Sequence, residues 1–135
     1  MIANLDDLVF RLNNHTTDEG TRFDAVLSEN GIIEVVCSNV SEFQINIAST
    51  ETQLLSVTPL FLKSEVKPGG EAELNELLLQ LSPAVPLSSI GLQGNTYILF
   101  GAMPLETSFE NIVHELEVQA ENTVEVLDAI EPLLV

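Results

Sequence analysis

After Lys67 the chain has no lysine or arginine at all. Residues 68–135 nevertheless carry eleven Asp and Glu, eight of them between Glu106 and Glu131. A helix through that stretch bears a negative stripe with no counter-charge of its own, which suits a basic or solvent-facing partner surface. Over all 135 residues, four basic side chains face 21 acidic ones, for a formal net charge of −17. DNA, RNA and anionic membrane surfaces are therefore repelled in nearly every orientation. The same self-repulsion costs stability that added salt restores.

Cysteine is nearly absent, and the single Cys37 excludes an internal disulfide. It lies in an alternating apolar run, where a small buried thiol is the usual occupant. With one cysteine and two histidines the chain has too few ligands for a zinc site. No run approaches the roughly 18 apolar residues of a membrane span, so no membrane insertion is expected. The opening MIANLDDLVF has no basic region and is interrupted by Asp6 and Asp7, unlike a signal peptide. The expected compartment is the cytoplasm.

What is present is an apolar fraction of 45%, enough for a core, in a length that fits one domain over residues 1–135. Leu5, Leu8, Val9 and Leu12 recur at three and four, one face of a helix, with Asn4 as its N-cap and Asp6 and Asp7 in its first turn. A polar loop follows from His15 to Thr21. Strands are then predicted for Phe23 to Ser28 and Ile32 to Ser38, joined at Asn30-Gly31, where both turn residues tolerate positive φ. Phe43, Ile45 and Ile47 alternate with polar residues as a third strand. A fourth run, Gln53 to about Lys63, contains Pro59 and reads as an edge strand or one broken there.

Pro68-Gly69-Gly70 stops that run, and Leu74, Leu77, Leu78 and Leu81 line a second helix ended at Ser82-Pro83. A second hairpin is predicted from Ile90 to Ala102 around Gly94-Asn95. Its return strand, Tyr97 to Phe100, is apolar on both faces and so belongs inside the sheet. A last helix starts at Thr107 or Ser108, where Thr107-Ser108-Phe109-Glu110 fits a capping box, and runs to about Glu131. Its apolar face is Phe109, Ile112, Val113, Leu116, Ala120, Thr123, Leu127 and Ile130. The order is α-β-β-β-(β)-α-β-β-α, an α+β fold with helices packed on a single antiparallel sheet.

Motifs with chemistry mostly fail on spacing. His15, Asp18, Glu19 and Asp24 lack the alternation of a calcium loop. Nucleophilic catalysis needs a His held by a carboxylate beside a Ser, Thr or Cys, and only His15 and His114 are on offer. Gly69-Gly70 before a helix lacks the lysine of a phosphate loop and is followed by Glu71 and Glu73. No catalytic residue, metal ligand or cofactor is expected. The candidate site is instead a partner-binding stripe on the last helix: Glu110, His114, Glu117, Val118, Glu121, Glu125 and Asp128. Glu117/Glu121 and Glu121/Glu125 are like charges four apart, which cost an isolated helix a few tenths of a kcal/mol each. Val118, Val126, Leu79 and the tail Pro132 to Val135 add a second candidate, an apolar patch for a peptide or a second copy.

Pro86-Leu87-Ser88-Ser89-Ile90-Gly91, Tyr97 to Ala102 and Asn122 to Leu127 resemble the YjfI-like family of small uncharacterised bacterial proteins, most clearly after Leu74. The resemblance implies a cytoplasmic bacterial protein, in some genomes encoded near a phage-shock-protein-A-like membrane-stress protein, and it transfers no catalytic residue. Element order and acidity also resemble type III secretion chaperones, which are acidic, often dimeric, and bind extended or helical partner segments.

These readings together predict a noncatalytic, chaperone-like binding protein whose last helix meets a basic protein or helical segment. Two alternatives stand beside it. One is an enzyme on a small cationic substrate using carboxylates such as Glu19 or Glu34; the other is a structural homodimer with a large apolar self-complementary face.

Overall fold

Asn4 caps the first helix by accepting the Asp7 amide at 2.7 Å on its side-chain oxygen. The computed structural model describes residues 4–135; Met1, Ile2 and Ala3, which open the segment read above against a signal peptide, lie outside it. The elements in order are α1 (Leu5–Asn13), β1 (Phe23–Leu27), β2 (Ile33–Cys37), β3 (Val40–Ser49), β4 (Gln53–Leu62), α2 (Glu71–Leu81), β5 (Ser89–Gln93), β6 (Thr96–Pro104) and α3 (Phe109–Ile130). Short 3-10 turns extend β4, α2 and α3. All six strands join one antiparallel sheet in the order β1-β2-β3-β4-β6-β5. The expected α+β architecture is thus the observed one.

Period-two burial decides which face is covered. Phe23, Ala25, Ile33, Val35, Cys37, Ile45, Ile47 and Leu54 point to one side and meet Leu8 and Leu12 of α1 and Ile112 and Leu116 of α3. Tyr97, Leu99 and Phe61 meet Leu74 and Leu78 of α2 and Val126 and Ile130 of α3. Each fully buried leucine or isoleucine contributes about 1.5–3 kcal/mol relative to exposure. On the opposite face, half-buried Val36, Ala48, Leu55, Val57 and Phe100 join neither cluster.

Three local expectations need correction. Of the two readings of Pro59, the edge strand fails, because β4 lies between β3 and β6, whereas the break at Pro59 holds. The ladder with β3 ends at Val57, and the register with β6 slips between Pro59 and Phe61, so the missing N–H is asked of no neighbour. The first hairpin is joined by Ser28 to Ile32, and only Gly31, at φ 81°, is left-handed. Ser28 takes over the turn by accepting the amides of Gly31 on its carbonyl and Ile32 on its hydroxyl. The cap of α3 is Ser108, which accepts the Asn111 amide at 3.1 Å. That shift puts Asn111, not Glu110, at the third helical position, so the capping box does not form.

Candidate functional site

The acidic stripe and a cavity rich in carboxylates meet on α3. Helical spacing puts Glu110, His114, Glu121, Glu125 and Asp128 at the surface, with Val118 half-buried between them. No basic residue sits in either end turn of α3. The lone ion pair among the described residues, Lys63 to Glu71 at 3.9 Å, is elsewhere. Glu115 lies beside the stripe; partial burial raises its carboxyl above the usual range, against a hydrogen bond from Asn111 and the charge of His114.

Glu117 departs from the stripe. It is 8% exposed, and its Oε2 accepts the Thr17 hydroxyl at 2.9 Å. Its own turn is pinned from the sheet side: Asn39 Nδ2 donates to the Glu117 carbonyl at 3.1 Å, and the Cys37 thiol approaches the Leu116 carbonyl at 3.9 Å. Cys37 is fully buried, as expected, and burial together with the Glu117 charge pushes its thiol up to about 12.

The loop carrying Thr17 is held against α3 by Phe109. His15 packs edge-on to the Phe109 ring at 5.2 Å, and the Arg11 guanidinium lies over that ring at 4.3 Å. Thr17 is positioned by a tight turn in which its hydroxyl accepts the Thr21 amide at 3.0 Å. Between loop and helix opens a cavity of about 350 Å³ lined by His15, Thr16, Thr17, Asp18, Glu19, Glu110, Val113, His114 and Glu117. Three members of the stripe, Glu110, His114 and Glu117, thus share a concave site with His15, Asp18 and Glu19. Sequence reasoning placed these groups apart, since Thr17 and Glu117 are separated by 100 positions.

Asp24 and Glu34 do not come to this cavity. Asp24 faces away from the core on β1, and Glu34 pairs with Val26 on the uncovered side of the sheet. Of the two carboxylates named for the enzyme alternative, Glu19 thus lines the cavity and Glu34 does not. Among the described residues, no group of three or more His, Cys, Asp and Glu is placed to hold a metal ion.

The apolar patch expected near the C-terminus is divided. Val126 is buried, and the tail is tied down, with Lys67 donating to the Leu133 carbonyl and Val135 to the Glu65 carbonyl, both at 2.8 Å. Leu79, 74% exposed, instead flanks a shallow groove of about 290 Å³ with Asn75, Leu78, Ile90, Gly91, Leu92 and Tyr97.

A polar seam separates the two core clusters, and of its α3 residues periodicity placed only Thr123 on the buried face. Gln119, Asn122 and Thr123 of α3 are buried. Gln119 bonds Ser56 and Thr58 of β4, and Asn122 donates to the Pro86 carbonyl at 2.7 Å and to Ser88 at 3.1 Å.

One six-stranded antiparallel sheet with helices packed on it defines an α+β fold. A chain of the heterodimeric complex ExoU–SpcU from the type III secretion system of Pseudomonas aeruginosa superposes with a TM-score of 0.57 at 14% identity, covering 96% of this chain and 97% of that one. That likeness concerns the fold. Residues 3–134 match the family described as an uncharacterized protein conserved in bacteria, DUF2170, and the chain belongs to that family. The uncharacterized protein YjfI of Escherichia coli K12 is 31% identical over 112 residues, 80% of this chain and 82% of that protein, and the same values hold for YjfI of strain O157:H7. Among the described residues no helix is long and apolar enough to cross a membrane.

Proposed function

We propose that residues 1–135 work as one noncatalytic, cytoplasmic, chaperone-like binding domain that offers the acidic face of α3 to a basic protein segment. The site comprises Glu110, His114, Glu117, Val118, Glu121, Glu125 and Asp128, and a long-helical membrane-stress protein of the phage-shock-protein-A-like kind is the candidate partner. One observation carries the reading: α3 exposes Glu110, Glu121, Glu125 and Asp128 with no lysine or arginine anywhere on the helix. Such a surface attracts and orients a cationic segment more than it stabilises its own fold. The shared fold with a chain of a heterodimeric complex is consistent with partnership.

The test is affinity capture at low and high salt, with mass spectrometry of the eluates. A basic protein retained at low salt, released at high salt, and lost with a Glu121→Lys, Glu125→Lys, Asp128→Lys variant of unchanged circular dichroism supports the reading. Undiminished capture by that variant, or no specific partner at either salt, overturns it. The half-buried strip Val36, Ala48, Leu55, Val57 and Phe100 favours self-association as a second reading, tested by light scattering of the purified chain.

A further inference from the structure

Between Glu76 and Glu106 lie 29 consecutive residues, Leu77 to Leu105, without one Asp, Glu, Lys, Arg or His, in a chain whose net charge is −17. They form the end of α2 and the strands β5 and β6, so the charge-free sequence gathers at one margin of the sheet, where β5 is the outermost strand. There the groove between α2 and β5 has Leu79 and Leu92 exposed on its rim, with Leu78, Ile90 and Tyr97 lining it more deeply. Its polar side chains satisfy each other, the Tyr97 hydroxyl donating to Asn75 Oδ1 at 2.6 Å. The groove thus presents apolar surface, with no carboxylate lining it to attract a basic segment.

The two margins of the sheet differ in how their backbone is closed. On β1, the other outer strand, the Asn13 side chain of α1 donates to the Ala25 carbonyl at 2.9 Å and accepts the Ala25 amide at 2.8 Å, and Asp24 adds a charge. On β5 the first half alone is closed, where Ile90 donates its amide to Ser82 Oγ at 3.0 Å, away from β6. Backbone groups alternate along an antiparallel strand, so Leu92 points its amide and carbonyl the same way. Among the described residues no turn, loop or side chain takes them. Neither charge, proline nor bulge guards this edge.

We infer that a second copy of this chain covers that margin, related by a two-fold axis that sets the two β5 edges antiparallel, bonds the Leu92 backbone groups across the axis, and buries Leu79 and Leu92 of each copy. A strand edge is complementary to its own copy under such an axis. Two chains of charge −17 repel wherever their carboxylates meet, which confines self-contact to surface without them. A contact held by no ion pair also tightens when salt screens that repulsion, the opposite of docking a basic segment on α3. It is separate from the acidic face of α3 and from the half-buried strip on the uncovered side of the sheet, and so goes beyond the docking function proposed above.

The test is sedimentation equilibrium of the full chain over a concentration and sodium chloride series, beside a variant in which the exposed pair Leu79→Glu and Leu92→Glu is changed together. The expected result is monomer and dimer in an equilibrium that salt drives toward dimer, with the dissociation constant raised more than about tenfold in the double variant. A monomer at every concentration, a dimer that salt dissociates, or an unweakened dimer in the double variant overturns the inference. Should the double variant not fold, Leu92→Cys replaces it, since the native Cys37 is buried and takes no part. Oxidation is expected to link Leu92→Cys into a dimer but not Val26→Cys, which is also exposed but on β1; failure of Leu92→Cys to link, or linking no better than Val26→Cys, overturns the inference. The Lys variant at Glu121, Glu125 and Asp128 separates the two proposals. Lost partner capture with the dimer intact supports both, whereas a monomeric unmodified chain that still captures a basic partner sinks only the second copy.

Discussion

Ser56 on β4 donates its hydroxyl proton to Gln119 Oε1 on α3 at 2.7 Å, inside the protein and between two apolar clusters. Gln119 answers with its amide, donating to the Ser56 carbonyl at 3.2 Å and to Thr58 Oγ1 at 3.0 Å. A two-sided amide contact of this kind sets the rotation and height of α3 on the sheet, which apolar packing alone leaves adjustable. The orientation of the acidic face follows from it.

Gln119→Leu keeps the volume, takes the Gln119 donor from the Thr58 hydroxyl and leaves the Ser56 hydroxyl only the longer contact to the Gly101 carbonyl at 3.5 Å. Stability is expected to fall by about 2 kcal/mol, the typical penalty for buried polar groups left unpaired. A urea titration reads this as a lower midpoint at constant slope. Adding Ser56→Ala and Thr58→Val should recover much of the loss; a single variant as stable as the wild type would contradict the role given to the seam.

Gly101 and Gly91 differ in what surrounds them. A Cβ at Gly101 lies 3.0 Å from Ser56 Oγ and 3.5 Å from Gln119 Oε1, so Gly101→Ala pushes into the seam and should cost about 1–3 kcal/mol. A Cβ at Gly91 meets the Phe100 ring at 3.1 Å, but that ring is half-buried on the uncovered face and can swing. Gly91→Ala should therefore cost under about 1 kcal/mol. Thermal melts of the two variants side by side test the difference, and equal losses refute it.

Cys37 makes stability fall in alkali. Its ordinary value of 9.0 applies to the unfolded chain, and the folded value is about 12, so the folded state holds the proton more tightly. The contribution is fully present below 9 and is lost as pH rises toward 12. Its size is on the order of 4 kcal/mol, from the energy of one pKa unit. The Tyr97 phenol, raised by burial and by Glu71 against a hydrogen bond with Asn75, acts with the same sign. The difference in alkaline unfolding between wild type and Cys37→Ala isolates the thiol. A thiol reagent at about pH 8 should label Cys37 only after unfolding; rapid labelling of the native protein would contradict its burial.

Salt should raise the melting temperature. The charge of −17 is almost unrelieved, because the only ion pair among the described residues is exposed and 3.9 Å long. Screening removes repulsion and sacrifices little attraction. Differential scanning calorimetry across a sodium chloride series checks this, and a flat or falling melting temperature would refute it.

Much of the architecture was legible in local patterns. Asn4 caps α1, Leu74 and Leu78 of α2 face the core, and Tyr97 to Leu99 are buried in an interior strand, each readable from a period or a cap. Pro59 marked the break in β4 but misled about the edge, because tolerance of a proline depends on where the neighbouring ladder stops, which its own strand does not encode. Glu117 misled for a related reason. On a helical wheel it sits beside Glu121, but a loop from 100 positions away folds over it and draws its carboxylate inward.

Composition and periodicity alone determined the class of fold, the helix faces and the unbalanced negative charge after Lys67, because these depend on residue identity and short-range spacing. Tertiary structure decided which glutamate is buried, where the polar seam runs, and that His15, Asp18 and Glu19 share a cavity with Glu110, His114 and Glu117. Those outcomes depend on strand register and on how α3 is rotated over the sheet. Both are set by contacts between segments far apart in the chain, such as Ser56 with Gln119 and Thr17 with Glu117.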